Sequence, residues 1–173
     1  MNISLIGMPA SGKTTIAKAL KNILNNYTLI DTDEKIVNNE KMPITEIFQT
    51  KGEKYFRSVE TKVLKEILKY DNQIISTGGG IIKSDENIKL LKGHSTVIYL
   101  STELETLVER AVKNTQRPLL NNCDIKEKLK KLLIEREEKY KQAHYVIKTE
   151  GKTPKEEAEE IAEKINENGR SKN

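Results

Sequence analysis

A chain of 173 residues, 36% of them hydrophobic, has the length and apolar content of one globular unit with a modest core. Thirty basic and 26 acidic side chains leave a formal charge of +4, and they interleave, as in KEKLKKLLIEREEKYK and KTPKEEAEEIAEK. That is the pattern of solvated helix faces; no aromatic residues alternate with a basic patch, which argues against nucleic acid, and no run approaches the roughly 18 apolar residues of a membrane span.

Along the chain, short apolar, β-branched runs alternate with helical patterns. ISLI leads into GMPASGKTT and a helix from about Lys13; YTLI precedes Asp31; QIIS precedes three glycines; TVIYL precedes Thr102; YVIK begins near Tyr145. Five such runs, each followed by a helical segment, predict a parallel sheet covered on both faces. Thr102 with Glu105, and Thr153 with Pro154 and Glu156, read as capping boxes, the second with proline at the first helical position. Asp124 is expected to cap the longest helix, whose Ile125, Leu129, Leu132, Leu133 and Tyr140 fit a helical period. The single cysteine, Cys123, excludes an internal disulfide and a cysteine pair for a metal, and the two histidines, His94 and His144, are distant in sequence. With a start, MNISLIG, that lacks the charged leader of a secretion signal, these features suit a cytoplasmic protein.

In a sheet of this kind ligands bind just past the strand C-termini, and the motifs fall there. Gly7-x-x-x-x-Gly12-Lys13-Thr14 is a phosphate loop between a strand and a helix, the context that gives the pattern its meaning. Its glycines let backbone N–H groups wrap a phosphate, Lys13 reaches the β and γ phosphates, and the Thr14 hydroxyl suits Mg²⁺. Asp31 and Asp33 follow the second strand; one suits a metal held through water and the other an acceptor hydroxyl, while either could simply cap the next helix. Gly78, Gly79 and Gly80 end the third strand, where bare backbone either receives an anionic ligand or merely turns the chain.

Of the 30 basic residues only five are arginine, so a planar fork stands out where it is kept. Arg57 in YFRSVE, Arg117 in TQRPLL and Arg136 in IEREEKY are candidates for a carboxylate or phosphate, with intrahelical ion pairs such as Arg57 with Glu53 or Glu60 as the plain alternative. The polar stretch KNTQRPLLNN is expected to be a loop able to close over a γ-phosphate and exclude water.

Taken together in order, G-x-x-x-x-G-K-T, DTD, FR-x-x-E, GGG and RPLL resemble the shikimate kinase family over essentially the whole chain. The resemblance implies a P-loop, nucleoside-monophosphate-kinase-like α/β/α fold with a five-stranded parallel sheet. It implies one kinase domain over residues 1–173, with an acceptor-binding region at about 31–60 and a lid at about 112–124, and transfer of the ATP γ-phosphate to the 3-hydroxyl of shikimate. By position, Ala10, Ser11, Gly12, Lys13, Thr14 and Thr15 would wrap the phosphates, Arg117 would descend with the lid, and Arg110 would lie near the nucleotide. Asp33 would bind ring hydroxyls and act as base; Arg57, Arg136 and the Gly78–Gly80 backbone would hold the carboxylate; Thr14 and, through water, Asp31 would serve Mg²⁺. Lys13, Asp33 and Arg117 would be the catalytic groups, ATP and shikimate the partners, and a monomer the working form. TEGKTPKE departs from the family in offering Lys152 and Thr153 where an arginine often approaches adenine. Two other readings keep the phosphate loop: another small-molecule kinase, gluconate-kinase-like or acting on nucleoside monophosphates, and a non-catalytic nucleotide-binding module.

Overall fold

The computed structural model describes residues 1–114 and 122–170. In chain order they form β1 (Asn2–Ile6), α1 (Lys13–Ile23), β2 (Thr28–Asp31), α2 (Thr32–Glu40), α3 (Ile44–Ile67), β3 (Gln73–Ser76), a 3₁₀ turn (Ile81–Lys83), α4 (Asp85–His94), β4 (Ser95–Ser101), α5 (Leu104–Asn114), α6 (Asn122–Tyr140), β5 (Tyr145–Lys148) and α7 (Pro154–Arg170). All four strand pairings are parallel, in the order β2-β3-β1-β4-β5. All five expected strands are present.

The pleat explains why the strands read as continuous apolar runs. In β4, Val97 and Tyr99 face one way and Ile98 and Leu100 the other, and both faces are buried. Ile3, Leu5, Ile74, Ile98 and Leu100 pack with Ile16 and Leu20 of α1 and Ala158 and Ile161 of α7. On the opposite face Ile6, Ile75, Val97 and Tyr99 pack with Phe56 and Leu64 of α3, Leu107 of α5, and Leu129 and Tyr140 of α6. From β1 the chain proceeds to one side, through β2 and β3, and then to the other, through β4 and β5, so the order reverses beside β1. A crevice opens at the C-terminal ends at such a reversal. It is occupied here by the phosphate loop.

The caps came out unevenly. Thr153 and Glu156 form the expected box: the Thr153 N–H donates to Glu156 Oε2 at 2.7 Å and the Glu156 N–H to Thr153 Oγ1 at 3.3 Å. Thr102 and Glu105 do not behave as one. The Thr102 hydroxyl instead accepts from Thr149 Oγ1 at 2.9 Å, because the β4 and β5 ends lie side by side, and Glu105 pairs with Lys126. Asp124 lies inside the first turn of α6, which begins at Asn122, so its charge acts on the helix dipole rather than as a cap. Gly52, at φ 79° and ψ 169°, breaks α3 into two helical segments, a bend its sequence did not announce.

Candidate active site

The phosphate loop leaves β1 and turns into α1 through Gly12, which sits at φ 95° in the left-handed region as the helix N-cap. The Ile16 N–H closes the first helical bond to Gly12 O at 2.9 Å. Lys13 is buried, and its Nζ donates to Gly7 O at 3.0 Å, Met8 O at 2.8 Å and Ser11 Oγ at 3.4 Å. Burial lowers this ammonium to about 8 against the opposing pull of Asp33 and Asp31. The loop floors a cleft of about 610 Å³ lined also by Asp31, Asp33, Gly78, Gly79, Arg110 and Glu157.

Asp31 takes the capping role open to the acidic pair and also meets the phosphate loop. Its Oδ1 accepts from the Asp33 N–H at 3.0 Å and the Glu34 N–H at 3.4 Å, capping α2, while Oδ2 accepts from Thr14 Oγ1 at 3.1 Å. Ser76 Oγ, on the neighbouring strand, lies 3.2 Å from the same threonine oxygen. This trio of hard oxygens suits Mg²⁺, which takes few protein ligands and completes its shell with phosphates and water. Among the described residues no cluster of three or more His, Cys, Asp or Glu could hold a metal without such help.

Asp33 stands in the cleft with its carboxyl against the glycine triplet, and burial and the neighbouring Asp31 raise its pKa, with Lys13 and Arg57 pulling the other way. The triplet itself owes its composition to what crowds it. A Cβ on Gly78 would lie 2.6 Å from Asp33 Oδ1, one on Gly79 2.9 Å from Pro9 Cδ, and one on Gly80 2.6 Å from Arg57 Nη2. Each glycine makes room for a different neighbour: a carboxylate, the phosphate loop and a guanidinium.

Arg57 and Arg136 reach this triplet from α3 and α6. Arg57 pairs with Glu60 at 2.8 Å and Glu53 at 3.3 Å, so the expected intrahelical ion pairs form while the guanidinium still lies against Gly80. Glu60 is 1% exposed, and burial raises its pKa despite the arginine beside it. Arg136, 8% exposed, donates from Nη1 to Gly79 O at 3.1 Å, and its Nε is buried with no hydrogen-bond partner. Tyr140 adds a second donor to Gly79 O at 2.5 Å and stacks on Tyr99 with ring centroids 5.0 Å apart. The Gly78 N–H donates to Thr32 Oγ1 at 3.0 Å, so it is held by α2.

At the other end of the cleft Arg110 donates to Ser11 O at 3.1 Å from α5, beside Pro154 and Glu157 of α7. Ala10 and Thr15 line the cleft with Thr14, while Ser11 is buried beneath the loop. Arg117, the lid segment 115–121 and the Cys123 side chain lie outside the described residues. Ser76, Tyr140 and Glu157 were not singled out from sequence as site residues. Tyr140 read only as a helical apolar position, and Glu157 was masked by the acidic run around it.

A phosphate loop and two guanidiniums, set along the C-terminal edge of a five-stranded parallel sheet beside paired carboxylates, define a P-loop small-molecule kinase. A family model described as shikimate kinase matches residues 9–166. The chain belongs to the shikimate kinase family. It is 41% identical over 160 residues to a shikimate kinase of Caldicellulosiruptor bescii, covering 92% of each chain. It is 45% identical over 148 residues to one of Clostridium botulinum, covering 84% of this chain and 86% of that one. The solved structure of shikimate kinase from Acinetobacter baumannii in complex with shikimate superposes with a TM-score of 0.88 at 35% identity, over 96% of this chain and 93% of that one.

Proposed function

We propose that this chain transfers the γ-phosphate of ATP to the 3-hydroxyl of shikimate, giving shikimate 3-phosphate and ADP. The observation that carries the reading is the convergence of Arg57 and Arg136 on the glycine triplet beside Asp33 and the phosphate loop. A small anionic polyol needs forked cations for its carboxylate and an acid for its hydroxyls, one step from the transferring phosphate.

In this reading Arg57 and Arg136 hold the carboxylate against Gly79 and Gly80, and the buried, unpartnered Nε of Arg136 is the donor left to receive it. Asp33, whose raised pKa suits a proton acceptor, orients the 3-hydroxyl and takes its proton as the oxygen attacks in line. Lys13 turns its ammonium from the loop carbonyls to the β and γ phosphates, which Ala10 to Thr15 wrap, and the base end lies toward Arg110 and Pro154. Thr14 and, through water, Asp31 would hold Mg²⁺, which would supply positive charge to offset that of the β and γ phosphates. Arg117 closes with a lid over 112–124 to exclude water, and residues 31–60 form the acceptor side of a single domain. The protein works as a cytoplasmic monomer.

An ADP-release assay with ATP, Mg²⁺ and a panel of acceptors tests this. Turnover with shikimate, and none with gluconate or nucleoside monophosphates, is expected. Phosphorylation of either alternative with shikimate inert refutes it.

A further inference from the structure

Glu157 occupies the first turn of α7, three residues after Pro154 and so on the same helix face, and both line the cleft beyond the phosphate loop. It is 2% exposed, and its Oε1 is closed to water with no hydrogen-bond partner. A buried acceptor left unpaired is costly, so such an atom at a cleft wall calls for a ligand donor. The charged groups around it have other partners: Arg110 donates to Ser11 O, and Lys152 pairs with Glu160 at 2.6 Å. The terminal torsion of a glutamate is broad, so rotation of the carboxyl can present an oxygen to the cleft it lines.

We propose that Glu157 is a specificity-determining residue for the nucleotide, its carboxyl accepting a hydrogen bond from the exocyclic amino group of adenine. This rests on the reading that ATP lies along the phosphate loop with its base toward Arg110 and Pro154. The position fits a base rather than a phosphate, because a carboxyl repels phosphate, and the ammonium of Lys13 faces Asp33 and Asp31 rather than Glu157. A site that hydrogen-bonds an amino group rejects the analogue without it, since its own acceptor is then left unpaired.

Calorimetric titration at pH 8.5, where the carboxyl is ionised and can only accept, of ADP and of IDP, which carries an oxo group in place of the amine, reads this without any acceptor. The native protein is expected to prefer ADP by about tenfold or more. Glu157→Leu is expected to bind the two within about threefold of each other. Equal binding of ADP and IDP by the native protein overturns the proposal whatever the variant does. So does a Glu157→Leu protein that weakens both nucleotides equally, the mark of a merely structural role. A protein that prefers ADP yet fails to phosphorylate shikimate supports Glu157 and counts against the acceptor reading alone.

Discussion

Burial raises Glu157 from an ordinary glutamate's 4.5 to about 7, against the pull of Arg110 and Lys152 and with Glu150 and Glu160 adding to it. Between those values the folded chain holds a proton that the unfolded chain has released, so stability falls as pH rises through this window and the loss is complete above it. The full effect is of order 1–3 kcal/mol. Glu157→Gln has no proton to lose there. Thermal melts from pH 4.5 to 8 should therefore fall less steeply for the variant than for the native protein, and parallel curves would contradict the assignment. Nothing in KTPKEEAEEIAEK separates this glutamate from its neighbours by type. The start of α7 at Pro154 was readable, but which of these glutamates meets the cleft depends on how α7 packs beside the phosphate loop, and that is invisible in a run of like charges. Lys13, by contrast, was legible at once, because the phosphate-loop pattern fixes its place by backbone geometry alone.

At the scale of elements, three segments distant in sequence converge on the turn after β3: the phosphate loop at Gly79, α2 at Gly78 and α3 at Gly80, with α6 adding Arg136 and Tyr140. The triplet was readable as special, but the reason for three glycines was not, since it lies in what approaches them. Gly80→Ala sets a methyl group 2.6–2.9 Å from three atoms of the Arg57 guanidinium, the far end of a flexible side chain that can move aside. The variant should fold, raise the KM for shikimate by roughly tenfold or more and leave the KM for ATP within about threefold, because a displaced fork loses its aligned pair of donors. An unchanged shikimate KM would separate Arg57 from the acceptor. The caps teach the same lesson in miniature. Thr153 finds its partner three residues on and was readable, whereas Thr102 is engaged by Thr149 from the neighbouring strand end.

Across the whole molecule, the five strands and their parallel sense were legible because a strand buried on both faces has a continuous apolar signature. Their order was not, since every strand-to-strand crossover through a helix reads alike along the chain. That order matters: it sets β3 between β2 and β1, bringing Ser76 beside Asp31 and carrying the glycine triplet to the phosphate loop. In the proposed function this order sets two anion sites along one rim, a lysine-centred loop for a triphosphate and an arginine pair for a carboxylate. Calorimetric titration of shikimate into the native protein and into Arg136→Ala tests that arrangement most directly. Removing one partner of a buried carboxylate should weaken binding by about 2–5 kcal/mol, roughly 30-fold or more, with ADP affinity little changed. Equal shikimate affinity in the two proteins would contradict it.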